Sequence, residues 1–224
     1  MSSRPSAKHR LRGALGLPPQ LFFDALLTRF LAGQRLPGDA VVVFDLDNTL
    51  AHTWPSFAQG HAHIWARLAS LPPRPEMVEL FARVRQRRPW LVLTAREYRT
   101  WPTTLAWLRR HTGVRESGRV IMVRSAAEKL PILNRLRLAY GRVLLIDDMS
   151  RNHEHGEVLS YDEVMAQLAR IGITHLGVDF IEGVTRATVS EAERAIEAAC
   201  QGQPAHVVDP GPDAAARPAT SGGS

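Results

Sequence analysis

Cysteine and lysine are nearly absent from this chain of 224 residues, and no apolar run in it is long enough to span a bilayer. A single thiol, Cys200, can form no intramolecular disulfide; this excludes a disulfide-stapled scaffold and fits a reducing compartment, the cytoplasm by default. A bilayer needs roughly 20 apolar residues, and the best candidate stretch, Leu15 to Leu31, is interrupted by Pro18, Pro19, Asp24 and Arg29. The same breaks argue against a signal peptide, so no membrane partner is expected. Of 28 basic residues only Lys8 and Lys129 are lysine, leaving 26 arginines. A chain that writes arginine almost everywhere thus carries one lysine inside its expected core. The formal charge of +6 and pI near 10.4 favour anionic partners: phosphorylated small molecules, nucleotides or nucleic acid. An apolar content of 45% is ample for a packed core and excludes disorder of the whole chain.

Punctuation divides the chain. Residues 1–17 read as a flexible basic leader and 18–38 as an N-terminal helical segment, with a helix from Pro19 to Phe30 closed by Gly33. A catalytic domain is expected over 39–200, carrying a small lid with one helix at 51–74, and a disordered Pro/Ala/Gly/Ser-rich tail over 201–224. Inside the domain, apolar runs alternate with helical periodicity. Strands are expected at Val41–Phe44, Trp90–Leu93, Arg119–Val123, Val143–Ile146 and His175–Phe180. Helices are expected from Pro75, over Pro102–His111 and Pro131–Tyr140, and from a capping box at Ser160 and Glu163 to Arg170. This alternation predicts an α/β fold: a three-layer, Rossmann-like parallel sheet with helices on both faces.

The stretch VVVFDLDNTL carries the chemistry. Val41 to Phe44 has no polar break, as a strand buried on both faces requires, and it ends in Asp45 and Asp47, two residues apart and therefore on one side of an extended chain. Ligands bind at the carboxyl ends of such strands. Two carboxylates there either belong to a solvated acidic turn or hold a cation between them. The other expected strand ends also carry polar groups. Thr94 follows the second, the pair Asp147 and Asp148 follows the fourth, and Lys129 precedes the helix after the third.

FDLDNTL resembles the first signature of the haloacid dehalogenase superfamily, D-x-D-x-T, and Thr94, Lys129 and Asp147-Asp148 are similar to its other three signatures in order. The resemblance covers about residues 40 to 182. It implies a small-cap phosphatase in which Asp45 is the nucleophile that becomes an aspartyl phosphate and Asp47 is the acid that protonates the leaving oxygen and the base that activates water. Thr94 would bond a phosphoryl oxygen, and Lys129 would neutralise charge on Asp45 and the phosphoryl group. Mg²⁺ would be held by Asp45, the backbone carbonyl of Asp47, and Asp147, with Asp148 orienting a metal-bound water or the lysine. The acids of the fourth signature are adjacent here rather than four apart, which leaves the division between Asp147 and Asp148 open. His153 and His155 follow in a loop; the hard oxygen ligands already account for the acids, and no zinc site is expected.

For the substrate, TAREYRTWPTTLAWLRRH is similar to the corresponding stretch of polynucleotide kinase 3′-phosphatase domains. That similarity makes Arg96 and Arg99 candidate contacts to a second phosphate, the alternative being ion pairing with Glu97 or exposure to solvent, and Thr49 of the first signature is a further candidate substrate contact. Trp107 and Leu108 are expected in the core. The segment after Asp148 lacks the D-D-R pattern of those phosphatases, and the lid is short. Three readings remain: a hydrolase of a small phosphomonoester or nucleotide, a 3′-phosphatase acting on DNA or RNA ends, and a non-catalytic binding protein with the same fold.

Overall fold

The computed structural model describes residues 18–33, 40–57, 63–154, 157–159 and 161–204. The expected leader, the domain start near Asp39, the tail beyond residue 204, His155 and the capping Ser160 lie outside the described residues. The elements run in chain order as α1 (Pro19–Gly33), β1 (Ala40–Phe44), α2 (Trp54–Phe57), α3 (Ile64–Ser70), α4 (Pro75–Arg87), β2 (Trp90–Ala95), α5 (Trp101–Thr112), β3 (Val120–Val123), α6 (Lys129–Tyr140), β4 (Arg142–Ile146), β5 (Asn152–Glu154), β6 (Glu157–Leu159), α7 (Asp162–Arg170), β7 (Thr174–Leu176), α8 (Val178–Gly183) and α9 (Val189–Cys200).

Five strands form one parallel sheet in the order β3-β2-β1-β4-β7, while β5 and β6 pair as an antiparallel hairpin. The fold is α/β and Rossmann-like. Unbroken apolar strands suit this position because both faces are covered. Val41 and Val43 face a layer built on Phe23 and Leu27 of α1, Leu133 and Leu136 of α6, and Leu168 of α7. Val42 and Phe44 face the other, built on Leu80 and Phe81 of α4, Trp107 of α5, Phe180 of α8 and Ile196 of α9.

The topology brings one pair of strand ends together. From β1 the chain steps outward to β2 and β3, then returns to lay β4 against the other side of β1, in register from Ala40↔Arg142 to Phe44↔Ile146. Between strands leading to opposite sides, the loops diverge and leave a crevice at the carboxyl rim. The ladder runs on past β1, with Asp45 N–H donating to Ile146 O at 2.9 Å and Asp147 N–H donating to Leu176 O at 3.2 Å. Asp45 and Asp147 are thereby fixed on one rim by backbone geometry alone.

Five expectations change. The apolar stretch after Gly177 is the helix α8, which buries Val178, Phe180 and Ile181, so the last strand stops at Leu176 instead of reaching Phe180; a short apolar run does not by itself tell strand from buried helix. Among its described residues the lid segment holds two short helices, α2 and α3, rather than one. His153 lies in the β5–β6 hairpin, opposite Val158, rather than in a loop. Lys129 opens α6 rather than preceding it, and α7 starts behind Tyr161 with no side-chain cap. No helix among the described residues is long and apolar enough to cross a membrane.

Candidate active site

A cavity of about 320 Å³ opens at the carboxyl rim of the sheet. Its lining includes Asp45, Asp47 and Asn48 after β1, Ala95 and Arg96 at the end of β2, Arg124 after β3, Lys129 at the head of α6, Asp147 and Asp148 after β4, and Ile64, Arg67 and Leu68 of α3.

At one side two carboxylates clasp one ammonium and a third carboxylate lies beside them. Lys129 Nζ donates to Asp45 Oδ1 at 2.8 Å and to Asp147 Oδ2 at 2.6 Å. Asp147 also accepts from the Met149 N–H at 3.0 Å, and its backbone carbonyl lies 2.8 Å from His175 Nε2. Asp45, Lys129, Asp147 and Asp148 are each no more than 3% exposed. Carboxylate oxygens of Asp45, Asp147 and Asp148 all lie within 4.8 Å of one another. One positive charge cannot neutralise three negative ones. Burial, only partly offset by Lys129 and reinforced by Asp147 and Asp47, pushes the Asp45 carboxyl up to about 7. Burial together with Asp147 and Asp45 pushes Asp148 up to about 8. For Lys129 burial works against the charged ammonium, but the two carboxylates win and hold it above the usual lysine range. The cluster is short of about two positive charges and offers only hard oxygen donors. It fits a hard divalent cation on both counts.

On the other side, Asp47 is balanced. Arg96 grips it with both edges of the guanidinium, Nε to Oδ2 at 2.6 Å and Nη2 to Oδ1 at 2.7 Å, while Nη1 reaches Thr104 Oγ1 at 3.3 Å. Thr53 Oγ1 adds a third donor to Asp47 Oδ1 at 2.7 Å. Burial alone would raise this carboxyl, yet the Arg96 charge and hydrogen bonds override it and hold Asp47 below the ordinary aspartate range. The Asp47 side chain is not part of the acid cluster; a metal role for this residue rests on its backbone carbonyl.

The turn after β1 joins these two sides. Asn48 sits at φ 55, a left-handed conformation that asparagine tolerates, and it donates through Nδ2 to Asp148 Oδ2 at 3.0 Å. Its Oδ1 accepts the backbone N–H groups of Thr53 and Trp54 at 3.1 and 3.0 Å. Farther out, the lid is pinned to the body where Trp107 Nε1 donates to Leu71 O at 2.8 Å.

The structure thus gathers Asp45, Lys129, Asp147 and Asp148 into one cluster and places Asp47 and Arg96 beside it. Thr94 and Thr49 are fully buried, and neither hydroxyl has a hydrogen-bond partner among the described residues. Thr94 directly precedes the cavity residues Ala95 and Arg96. Arg99, an expected second-phosphate contact, does not line the cavity; it is 65% exposed and pairs with Glu97. Arg96 forms an ion pair, but with Asp47 rather than Glu97. Trp107 and Leu108 are core. Asn48, Thr53, Arg67, Arg124 and His175 enter the site without having been singled out by sequence. Only Asn48 carried a local signal, an asparagine in a turn directly after two acids.

No protein-family model matches the chain, and no curated protein matches it. Among solved structures, the class C acid phosphatase from Bacillus anthracis aligns with a TM-score of 0.41 at 12% identity, over 77% of this chain and 88% of that one. At that level of likeness the functional reading rests on the geometry of the site.

Proposed function

We propose that this chain is a Mg²⁺-dependent phosphomonoester hydrolase of the haloacid dehalogenase type. The observation that supports it most is Lys129 bridging Asp45 and Asp147 inside a buried acid cluster at the point where the sheet order reverses. Bound to the cluster, Mg²⁺ supplies the positive charge that lets an anionic phosphate approach buried carboxylates. Asp45, Asp147 and Asp148 would hold it, with the carbonyl of Asp47.

Asp45 attacks phosphorus, a new carboxyl O–P bond forms, and the ester P–O bond breaks. Lys129 favours the ionised form of the nucleophile and faces the charge that develops on the phosphoryl oxygens. In the second half Asp47 takes a proton from water as that water attacks phosphorus, the Asp45 O–P bond breaks, and inorganic phosphate leaves. Ionised in its pair with Arg96, Asp47 is ready for this base role. To protonate the leaving oxygen in the first half it must hold a proton, so Arg96 must let go; a phosphoryl oxygen is an anion that competes for the same guanidinium. The unpartnered hydroxyl of Thr94 supplies a donor for a phosphoryl oxygen.

A cavity of about 320 Å³ is at the small end for ligand sites, which favours a small phosphorylated molecule or nucleotide. Arg67 and Arg124 line it from two different elements and suit an anionic substrate. The second reading, a 3′-phosphatase on DNA or RNA ends, is favoured by the net charge of +6. An aryl phosphate, a nucleoside monophosphate and a 3′-phosphorylated oligonucleotide, each assayed with Mg²⁺ and with excess chelator, test both. Turnover in chelator, or in Asp45→Asn, overturns the mechanism. Nucleic-acid recognition requires the oligonucleotide's affinity to fall much more steeply with salt than the mononucleotide's.

A further inference from the structure

The turn at Asn48 does more than reverse the chain. At φ 55 glycine is the least strained residue, and if conformation were the only requirement glycine would serve better there. Asparagine instead spends its whole amide. It is 4% exposed, its NH₂ donates to Asp148, and its carbonyl oxygen accepts from Thr53 and Trp54. The amide can be oriented in only one way. Flipped, its NH₂ would face two N–H donors and its oxygen would face a carboxylate. The residues it contacts belong to two units far apart in sequence, the first turn of the lid segment and the acid cluster, the latter 100 positions from Asn48 itself.

We infer that Asn48 is a positioning residue that couples the conformation of residues 51–57 to divalent-cation binding by the acid cluster. The inference rests on the cation-site reading above. Holding one oxygen of Asp148 fixes the rotation of that carboxylate, and holding the Thr53 and Trp54 N–H groups fixes the start of α2. Thr53 in turn donates to Asp47, so the same short segment touches the Asp47–Arg96 pair directly and reaches the cluster through Asn48. A cation that orders Asp148 orders this segment through Asn48, and by linkage the reverse holds with the same free energy. Residues that orient metal ligands typically contribute about 10- to 100-fold in affinity.

The test uses the full chain and Mg²⁺ alone, with no turnover. Calorimetric titration compares wild type with Asn48→Gly, while hydrogen exchange is followed at the Thr53 and Trp54 amides. Coupling predicts about 10- to 100-fold weaker Mg²⁺ binding in Asn48→Gly. It also predicts that Mg²⁺ slows exchange at both amides in wild type but not in the variant. A turn residue alone predicts that glycine is neutral, and Mg²⁺ affinity within about threefold of wild type overturns the coupling. Should Asn48→Gly fail to fold, Asp148→Ala reads the link from the other end. Faster exchange at Thr53 and Trp54 supports it, and unchanged exchange overturns it. Wild type that binds no Mg²⁺ at all defeats the cation site itself, a result distinct from wild type binding normally alongside an unaffected variant.

Discussion

On one side of the cavity Asp45 and Asp147 share a single ammonium with Asp148 crowded beside them, whereas on the other Asp47 has a guanidinium to itself. The same residue type, two positions apart in one turn, is therefore held in opposite states: Asp45 is pushed up to about 7 and Asp47 is drawn down. Proximity to a cation does not explain the difference, since both carboxylates have one. The deeper burial of Asp45, 5% against 26% side-chain exposure, and the count of charges do. A one-to-one pair is complete without a ligand, while a three-to-one cluster is stable as fully ionised groups only when more positive charge arrives. The incomplete side is suited to recruit a cation, and the complete side to hold or release one proton.

The harshest way to break this contrast is to remove the shared ammonium. Lys129→Met leaves three buried carboxylates without any cation, and loss of one partner from a buried ionic group costs about 3–5 kcal/mol. Denaturant unfolding in chelator should show that loss, with Mg²⁺ recovering part of it; an unchanged midpoint would mean the cluster is not electrostatically strained. Next comes Lys129→Arg, which keeps the charge but not its compact shape. A displacement of about 1 Å can cost roughly 100-fold in rate. We expect that loss on an aryl phosphate with nearly unchanged melting temperature, and rates within about threefold of wild type would show that turnover does not require the compact ammonium.

A gentler probe acts on the balanced side. In Arg96→Met, Asp47 loses the charge that lowers it and its carboxyl rises, so the acid limb of kcat/KM should move to higher pH; an unmoved limb would detach Asp47 from proton transfer. The pH dependence of stability sharpens the other side. Asp45 and Asp148 are raised from 3.8 to about 7 and about 8, so folding disfavours their ionised forms. Between about pH 4 and 8 the folded protein binds more protons at these groups than the unfolded chain, and metal-free stability should fall as pH rises through that window. Mg²⁺ should stabilise most at the alkaline end. A metal-free melting temperature that climbs across the window would contradict the charge count. The smallest effect is expected from Arg99→Ala. Its pair with Glu97 is exposed, and surface changes of this kind stay within about 0.5 kcal/mol. Aryl phosphate turnover should be unaffected, and a marked loss would place Arg99 at the site after all.

What could be read from the chain beforehand was whatever has a local signature. Val41 to Phe44 reads as a central strand because a strand covered on both faces needs no alternation, and Lys129 stands out because arginine fills nearly every other basic position. Asp147 and Asp148 follow an apolar run just as Asp45 does. Other features depend on partners distant in sequence. Nothing near Arg96 says that its guanidinium will meet Asp47, 49 positions earlier, rather than a ligand, and nothing near Arg67 says that α3 will turn it into the cavity. The helix at Val178–Gly183 was hidden for a different reason, because six residues with an apolar core satisfy strand and helix patterns alike.

The position of β1 has a consequence for how the molecule is made. It is the middle strand of the sheet but the first synthesised. β2 and β3 can extend the sheet to one side of it, while its other edge waits for β4, about 100 residues later. At about 5–20 residues per second a ribosome leaves that edge of the most apolar strand open for roughly 5–20 seconds. During that interval Asp45 has no Asp147 or Asp148 beside it and cannot yet trap a cation tightly. A divalent ion therefore does not guide the early chain. On the proposed reading it would select the finished one, adding its binding energy only after the last acid has been delivered and making retreat to the half-built sheet less favourable.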